Sequence, residues 1–444
     1  MNFSADILVI GSGWAGFAAA MEAVKQGHTV IMVEKAPGAT ALSSGAIDVA
    51  DLQHSPSRFL LEKHLPIEEK LQEIIHHELD HPYAILSRQM GMGSFFEFLR
   101  ESIFQTTQNL AGRWLGDLKK NRLQISGFGN VKATALVPEN MQDANLLAMN
   151  QAKLLVVGIR GFATYQSKFI KDFLLDFQSE QPVPYIQFAG NLDLEVPGLE
   201  GRSSLIDFEI AQRLDEEAGF VPFAQALLSY LQGKVYTHLI FPPLLGVVNT
   251  ELILKTLKRI TGLNVAETLG SPITIPGIRL KNAMRQACEA KGVQVLRGEV
   301  KSVLQQNGYV QALELESNRN IVRLNAKAFV LASGKYLGGG IQSDQTARES
   351  IFNAELNIPR DKKTTLYAQS DVLDKQMLWK IGLRTGDLFQ PFPKDSLESF
   401  QNLFAAGSVL GGYDYIHGRC GAGVAICTGV LAGRNAVAWI KQSL

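Results

Sequence analysis

The stretch DILVIGSGWAGFAAAMEAVKQGHTVIMVE, residues 6–34, decides the fold. It starts with an apolar run, continues through a glycine-rich turn into a helix of small residues that stops at Gly27, and closes with a second apolar run that ends at Glu34. The order of strand, turn, helix, strand and acid is typical of a dinucleotide-binding βαβ unit. We therefore predict that this unit forms the centre of a nucleotide-binding domain.

The glycines of the turn have the spacing that such a unit requires. Gly11 permits the tight exit from the strand, Gly13 lets the backbone approach a pyrophosphate, and Gly16 lets the helix and strand pack closely. Free N–H groups at the start of the helix then face the anion. Glu34 follows at the distance at which a carboxylate accepts the hydroxyl groups of an adenosine ribose. The alternative is an ordinary glycine-rich turn in an α/β sheet, and the complete context favours the nucleotide site.

The composition restricts the class of protein. The chain has 444 residues, 46% of them hydrophobic, which is enough for two or three domains with a sizeable core. Lys plus Arg and Asp plus Glu are equal at 43 each, so no bulk positive charge attracts nucleic acid or an anionic membrane. Three cysteines without a CxxC motif predict a reducing compartment, the cytoplasm, and no metal site. The start lacks the basic region of a signal peptide, and the apolar stretch Val424 to Ile440 is interpreted as a buried helix.

The order of strands and helices predicts a divided nucleotide domain. After the first unit, strand and helix alternate through the middle of the chain, and from about residue 270 further strands end at glycine turns, as at Ser333-Gly334 and Gly407-Ser408. We predict an α/β fold in which a Rossmann-like dinucleotide-binding domain is split by an inserted α/β cap domain. The expected parts are residues 1–80, the cap at 81–270, and residues 271–444.

Several segments together resemble the two-dinucleotide-binding-domain flavoproteins related to fumarate reductase, and within them the family of anaerobic glycerol-3-phosphate dehydrogenase B subunits. The segments that carry this resemblance are the GSGWAG turn with Glu34, Ser43–Asp48 (SSGAID), His81–Tyr83 (HPY), Val156–Gly158 (VVG), Gly277–Leu280 (GIRL), Leu331–Gly334 (LASG), Asn402–Phe404 (NLF), Gly407–Gly412 (GSVLGG) and Cys420-Gly421. The resemblance runs nearly end to end, and its motifs are most specific in the C-terminal block.

The resemblance implies a flavin subunit of a complex that oxidises glycerol 3-phosphate to dihydroxyacetone phosphate and passes electrons to quinone. Its partners would be a second flavoprotein subunit and an iron–sulfur subunit, and the chain would reach the inner face of the cell membrane only through them. The family is described as binding FMN, whereas Glu34 and the complete GxGxxG motif suit an adenosine and a pyrophosphate, which FMN lacks. We therefore expect FAD, with FMN as the alternative.

The motifs and the resemblance together name the expected cofactor contacts. Ser408 stands where related flavoproteins often carry an Asp for the ribitol, and it can hydrogen-bond there without a charge. The segment from Pro37 to Val49 is either a loop that wraps the cofactor or a plain surface loop. The predicted cofactor-binding residues are Gly11, Ser12, Gly13, Trp14, Ala15, Gly16, Glu34, Lys35, Thr40, Ser43, Ser44, Gly45, Val300, Ala332, Ser333, Gly334, Gly407, Ser408, Gly421, Ala422 and Gly423.

Catalytic and substrate residues are less clearly indicated. His417 and Arg419 precede the glycine-rich start of the last helix, and His417 is either a proton shuttle or a structural histidine. A substrate phosphate calls for arginines, and Arg160 and Arg279, with Arg202 and Arg348 as further candidates, either bind it or form ordinary surface ion pairs.

Three other functions compete with this interpretation. The first is a self-sufficient FAD-dependent oxidoreductase that acts on a small hydroxy or dicarboxylic acid. The second is a flavin-dependent RNA-modifying protein, which the balanced charge disfavours. The third is a non-catalytic scaffold, which the intact cofactor motifs disfavour.

Overall fold

The computed structural model describes residues 2–51, 66–180, 183–184, 186–271, 274–343, 346–359, 368 and 376–443. The helices of this part of the chain are α1 (Trp14–Lys25), α2 (Ile67–His77), α3 (Pro82–Met90), α4 (Met92–Gln108), α5 (Ser167–Glu180), α6 (Asp207–Asp215), α7 (Glu217–Leu231), α8 (Thr250–Thr261), α9 (Ile275–Ala290) and α10 (Gly421–Gln442). The strands are β1 (Asn2–Ile10), β2 (Val30–Glu34), β3 (Trp114–Leu115), β4 (Arg122–Ile125), β5 (Val131–Thr134), β6 (Val137–Pro138), β7 (Ala152–Ile159), β8 (Ile186–Leu194), β9 (His238–Phe241), β10 (Asn264–Glu267), β11 (Gln294–Arg297), β12 (Glu299–Gln306), β13 (Tyr309–Ser317), β14 (Asn320–Leu331), β15 (Ile341–Ser343), β16 (Ala347–Glu349), β17 (Leu356–Asn357), β18 (Gly382–Leu383) and β19 (Leu403–Ala405).

The larger sheet joins the two ends of the chain. Its strand order is β11-β2-β1-β14-β13-β12, and β19 pairs with the C-terminal end of β14. Strands β11, β2, β1, β14 and β19 are parallel, whereas β12, β13 and β14 form an antiparallel meander. Because β1 pairs with β14 from Asn2 to Ile10, the first strand of the chain lies at the centre of a sheet completed some 320 residues later.

Strand β14 is 12 residues long and has different partners at its two ends on one side. Its first half pairs with β13 and its last three residues pair with β19, so two neighbours share one edge. The fully buried Asn402 closes the junction between them: its Oδ1 accepts the Val310 N–H at 2.9 Å, and its Nδ2 donates to Val310 O at 2.8 Å and Lys327 O at 2.9 Å. One amide thereby satisfies backbone groups that the sheet leaves unpaired.

Helix α10 packs against α1 through small residues. A Cβ atom at Gly429 would lie 2.3 Å from Ala15 O, and one at Gly433 would lie 2.7 Å from Ala19 O, so the two backbones touch where the side chains are absent. By length and composition α10 is apolar enough to cross a membrane, but 67% of its most apolar window is buried inside the protein. The buried helix predicted from Val424 to Ile440 is confirmed.

The second sheet lies in the middle of the chain. Its four strands, in the order β10-β9-β7-β8, are all parallel, and helices pack on both faces around two separate hydrophobic cores. Such a sheet, buried on both faces, explains the continuous apolar run of β7. Helices α2, α3 and α4 belong instead to the core of the larger sheet. This packing favours a boundary later than residue 80, and the division into residues 1–80, 81–270 and 271–444 stays a prediction.

Candidate functional site

A cleft opens at the carboxyl ends of β1, β2, β14 and β19. Because these strands are parallel, their ends meet at one edge of the sheet, which is where open α/β sheets bind ligands. The cleft holds about 1100 Å³ of empty space, open solvent included. Its walls come from five segments of the chain, namely residues 10–15, 33–40, 298–300, 332–351 and 406–425, each contributing some of its members.

The glycine turn after β1 has the tight geometry that its motif predicts. Gly11 has a φ of +111°, and a Cβ there would lie 2.1 Å from Ala332 O, so no other residue fits without strain. A Cβ at Gly16 would lie 1.8 Å from Gly11 O, which is the close contact of helix and strand. At Gly13 the nearest neighbour is Thr40 Oγ1, which also accepts the Trp14 N–H at 3.2 Å. Thr40 therefore takes part in closing the start of α1.

Glu34 at the end of β2 is held by residues of its own chain. Its Oε2 accepts a hydrogen bond from Ser12 Oγ at 2.7 Å and lies 2.6 Å from Lys281 Nζ. Its Oε1 faces Arg297 Nε at 3.7 Å. Burial alone would raise the pKa of Glu34, but the hydrogen bonds from Lys281 and Ser12 and the charges of Lys281 and Arg297 outweigh it, so the pKa is lowered. Glu34 is thus an ionised carboxylate beside the glycine turn, placed between the lining residues Val33 and Lys35 but not itself among the residues that line the cleft.

The structure brings many of the predicted cofactor residues together around the cleft. Those that line it are Gly11, Ser12, Gly13, Trp14, Ala15, Lys35, Thr40, Val300, Ala332, Ser333, Gly334, Gly407 and Ser408. Those that do not are Gly16, Glu34, Ser43, Ser44, Gly45, Gly421, Ala422 and Gly423. The role of both groups in binding stays a prediction.

The serine-rich loop packs against the start of α9 instead of the cleft. Thr274 Oγ1 donates to Ser43 O at 2.7 Å, and the Gly270 N–H donates to Ser44 O at 2.9 Å. At Gly45 a Cβ would lie 2.7 Å from the Cβ of Pro276. The segment from Pro37 to Val49 thus divides: Pro37 to Thr40 line the cleft, whereas Ser43 to Gly45 contact residues at the start of α9, and a loop that wraps the cofactor stays a prediction.

The glycine-rich segment starts α10 at Gly421 as predicted, but its glycines face tyrosines. A Cβ at Gly423 would lie 2.2 Å from Tyr83 Oη, whereas one at Gly421 would meet Tyr415 at an ordinary distance of 3.5 Å. Gly423 is therefore required by the packing of α10 on α3. Contact of either glycine with a flavin stays a prediction.

His417 and Arg419 lie in the turn before α10, outside the lining of the cleft. The His417 N–H donates to Asp414 Oδ1 at 3.0 Å, and Arg419 Nη1 lies 3.0 Å from Oδ2 of the buried Asp51. The Arg419 contact ties this turn to the loop that follows the serine-rich segment. The proposed catalytic role of both residues stays a prediction.

Neither of the predicted substrate arginines, Arg160 and Arg279, lines the cleft, and each forms an ion pair. Arg279 forms a buried ion pair with Glu267, with Nη1 to Oε2 at 2.6 Å, and its Nε donates to Gly246 O at 2.8 Å. Arg160 is two-thirds exposed and pairs with Glu195 at 3.4 Å, at the end of β7 in the second sheet. These contacts disfavour the assignment of Arg279 to a substrate phosphate, because the buried pair would first have to open.

Lysines that the sequence analysis did not single out are prominent in and beside the cleft. Lys335 lines it directly after the predicted Gly334, and it is only 2% exposed. Lys281 of α9 reaches Glu34 and also donates to Ser12 O at 3.0 Å. The position of Lys335 after a strand that ends at a glycine turn was a usable signal, whereas nothing in the sequence indicated the contact of Lys281.

The groups in the cleft fit a dinucleotide cofactor. Among the described residues, the buried Ser333 Oγ and Trp14 Nε1 have no hydrogen-bond partner, and both belong to residues that line the cleft. The first N–H groups of α1 have no partners within the helix, and Gly13 gives the helix no side-chain cap. N–H groups at a helix start normally have a partner, so an anionic group bound in the cleft would complete those of α1.

Comparison with known proteins identifies the family to which the chain belongs. The model of the FAD binding domain family matches residues 6–424. The chain belongs to the FAD binding domain family. This confirms the predicted fold class and supports FAD as the cofactor, whereas the FMN alternative finds no support.

The curated relatives of the chain are subunits of one kind of dehydrogenase. The chain is 26% identical over 456 residues to the B subunit of anaerobic glycerol-3-phosphate dehydrogenase from Vibrio vulnificus, covering 99% of this chain and 97% of that protein. It is 27% identical to a probable B subunit of the same enzyme from Halobacterium salinarum, with 98% of each chain covered. The resemblance found in the sequence is confirmed, and the chain is a flavoprotein oxidoreductase of the dehydrogenase-subunit type.

The comparison with solved structures gives two enzymes with low scores. A 3-ketosteroid Δ1-dehydrogenase from Sterolibacterium denitrificans has a TM-score of 0.42 at 10% identity and covers 98% of this chain and 99% of its own. A flavocytochrome c3 fumarate reductase has a TM-score of 0.43 at 12% identity and covers 98% and 78%. At these values neither structure supports a conclusion about this chain.

Proposed function

We propose that this chain is the FAD-binding subunit of an anaerobic glycerol-3-phosphate dehydrogenase, which oxidises glycerol 3-phosphate to dihydroxyacetone phosphate and passes the electrons to quinone through partner subunits. The observation that carries the proposal is the near full-length match to B subunits of that enzyme together with the cleft at the glycine turn. The proposed partners are a second flavoprotein subunit and an iron–sulfur subunit, and the proposed location is the inner face of the cell membrane, reached through them.

The proposed cofactor contacts follow from the geometry of the cleft. The N–H groups at the start of α1 would bind the pyrophosphate of FAD, because they carry the positive end of the helix dipole. Glu34 would accept a ribose hydroxyl through Oε1, since Oε2 already binds Ser12 and Lys281. Ser333 and Ser408 lie along the remainder of the cleft and would offer hydroxyl groups to the ribitol.

FAD would supply the oxidising chemistry by accepting a hydride from the carbon that bears the substrate hydroxyl. The residues of the chain bind and orient FAD and set the electrostatic potential around it. The arginines predicted for the substrate phosphate, Arg160 and Arg279, are paired with Glu195 and Glu267 and do not line the cleft. This arrangement supports a complex in which a partner subunit holds the phosphate.

The cysteines of the chain also favour electron transfer through partner subunits. The three cysteines, Cys288, Cys420 and Cys427, are free and buried, and their spacing is not that of an iron–sulfur site. Burial raises the pKa of Cys420 and Cys427, so neither thiol is a ready thiolate ligand. Electrons from FAD would therefore leave through another protein.

The proposal is tested by turnover with and without partners. The purified chain, replete with FAD, is mixed with glycerol 3-phosphate and a soluble quinone analogue, and its rate is compared with that of the same chain together with its copurifying subunits. Glycerol serves as the control substrate without the phosphate. We expect turnover only in the presence of the subunits and only with the phosphorylated substrate. Equal rates in both samples would overturn the proposed electron transfer through partner subunits and favour a self-sufficient FAD-dependent oxidoreductase.

A further inference from the structure

Lys335 is a buried amine in the wall of the cleft. It follows β14 by four positions, after the turn at Ser333-Gly334, and its residue surface is 2% exposed. Its Nζ donates a hydrogen bond to the backbone oxygen of Trp379. A lysine is almost never buried to this extent without an ionic partner. Within the part of the chain that the structure describes, Lys335 forms no ion pair, and Trp379 O is the acceptor of its hydrogen bond.

Aromatic rings surround the amine. Nζ lies 5.4 Å from the ring centroid of Tyr413 and 5.6 Å from that of Tyr415, within the range of cation–π attraction. The Trp379 ring packs edge-on against Tyr415, with centroids 5.4 Å apart. Tyr415 itself lines the cleft. The amine therefore contacts ring faces and one carbonyl, none of which carries a full negative charge, beside a tyrosine that lines the cleft.

The balance of burial and charge places the amine near its titration point at neutral pH. Burial lowers the pKa of Lys335 to about 7, although the charge of Asp414 opposes this shift. Asp414 Oδ1 is already occupied by the N–H groups of Ile416 and His417, at 2.9 and 3.0 Å. The other titratable groups nearby are Tyr336, Tyr413 and Tyr415, whose pKa values are raised by burial, the buried His81, and Lys380, which pairs with Glu78 at 3.3 Å.

We propose that Lys335 is the charge-compensating residue of the cofactor cleft, which takes up a proton from solvent when FAD is reduced and so favours the reduced cofactor. This inference rests on the proposed FAD site but not on glycerol 3-phosphate as the substrate. FAD gains two electrons and one proton as a hydride and thereby gains one negative charge. The neutral Lys335 amine binds one further proton from solvent, so one N–H bond forms on Nζ, and no bond joins Lys335 to FAD.

The dependence on pH follows from the sign of the shift. Well below pH 7 Lys335 is already charged, and its field favours reduced FAD throughout. Near and above pH 7 the amine is neutral beside oxidised FAD, and the negative charge gained on reduction raises its pKa and draws a proton in. At a pH high enough to keep the amine neutral in both states, its effect on the reduction potential disappears.

The experiment measures the midpoint potential of the bound FAD from pH 6 to pH 9 in equilibrium with a redox dye. Wild type is compared with Lys335→Met, which keeps the length of the side chain without its charge, and with Lys335→Arg, which keeps the charge at every pH. Lys301→Met is the control, because that lysine is exposed on β12 and pairs with Glu299 and Glu316. The FAD content of each protein is measured first.

We expect Lys335→Met to weaken the preference for reduced over oxidised FAD about tenfold at pH 6, which is about 30 mV for a two-electron couple. This difference should shrink towards zero at pH 9, whereas Lys335→Arg should keep the potential high across the range and Lys301→Met should match wild type. A Lys335→Met shift that is the same at every pH would show a merely structural role and overturn the inference. If Lys335→Met does not fold, equal pH profiles of wild type and Lys335→Arg would overturn it. A folded wild-type protein without bound FAD would overturn both this inference and the FAD site, so the two failures are distinguishable.

Discussion

Lys281 Nζ lies 2.6 Å from Glu34 Oε2, so the acid that ends the βαβ unit is paired with a lysine of helix α9. The side chains of both residues are largely buried, at 12% and 9% exposure. Removing one partner of such a pair leaves the other charge buried without compensation. The pair therefore links α9 to the βαβ unit, and it also helps to keep the Glu34 carboxylate ionised.

The first prediction concerns the stability that this pair provides. Lys281→Met should lower the free energy of unfolding by about 2 kcal/mol, below the usual cost for a fully buried pair because both groups retain some solvent. Lys281→Met combined with Glu34→Gln should recover part of the loss, since no unpaired charge then remains. Urea unfolding of the two single variants and the double variant measures the coupling. Strictly additive losses would show that the two residues do not interact.

The second prediction concerns binding of the cofactor. Glu34→Ala removes the proposed ribose acceptor and should weaken FAD binding by about 1 to 3 kcal/mol, the range for a lost hydrogen bond to a charged group. Glu316→Ala is the matched control, because that carboxylate is exposed on β13, where it pairs with the exposed Lys301 at 3.0 Å. Titration of the apoprotein with FAD measures both. Equal FAD affinities of Glu34→Ala and Glu316→Ala would show that Glu34 does not bind the cofactor.

Local patterns predicted the elements around the cleft, whereas long-range contacts could not be predicted. The βαβ unit emerged because its strand, turn and helix signals lie within residues 6–34. By contrast, Lys281 meets Glu34 across 247 positions, and no periodicity or motif encodes that contact. Arg279 looked like a phosphate ligand because the sequence does not show its buried partner, Glu267. The charge of a side chain is visible in a sequence, but its partner depends on packing.

The glycines of α10 illustrate the same limit. Gly421 and Gly423 look equivalent in the sequence, and both suggest a close approach of the backbone to a ligand. Only the structure shows that Gly423 faces Tyr83 Oη while Gly421 has room for a methyl group.

The third prediction follows from that difference. Gly423→Ala should destabilise the fold by about 1 to 3 kcal/mol, because the new Cβ would lie 2.2 Å from Tyr83 Oη and displace a fully buried ring. Gly421→Ala, two positions away, is the control and should keep the stability of wild type. Thermal unfolding compares the two. If the cofactor does face Gly421, that variant alone should lose FAD affinity while its folding stays unchanged.

The fourth prediction concerns acid stability. His81 is buried between the rings of Tyr83 and Tyr413, its Nδ1 accepts the Tyr83 N–H at 3.0 Å, and burial, with the charge of Lys380, lowers its pKa to about 3. Between the ordinary value of 6.5 and about 3, the unfolded chain binds a proton that the folded chain does not. The stability therefore falls as the pH drops through this window, by up to about 1.4 kcal/mol per pH unit.

His81→Asn separates this titration from the other acid-sensitive groups. Asn keeps an acceptor for the Tyr83 N–H at the start of α3 but does not titrate. The variant should be less stable than wild type at pH 7, and the difference should narrow towards pH 5. Urea unfolding at a series of pH values measures it. A constant difference between pH 7 and pH 5 would show that His81 becomes protonated in the folded protein.

The central claim is that the cleft at the Gly11–Gly16 turn holds FAD, and the released cofactor tests it most directly. The native chain is purified, the cofactor is released with acid and separated beside FAD and FMN standards, and its amount is compared with that of the protein. We predict FAD at about one molecule per chain, and a strong reduction in Glu34→Ala purified in the same way. Recovery of FMN alone, or of FAD in an amount that does not respond to Glu34→Ala, would contradict the claim.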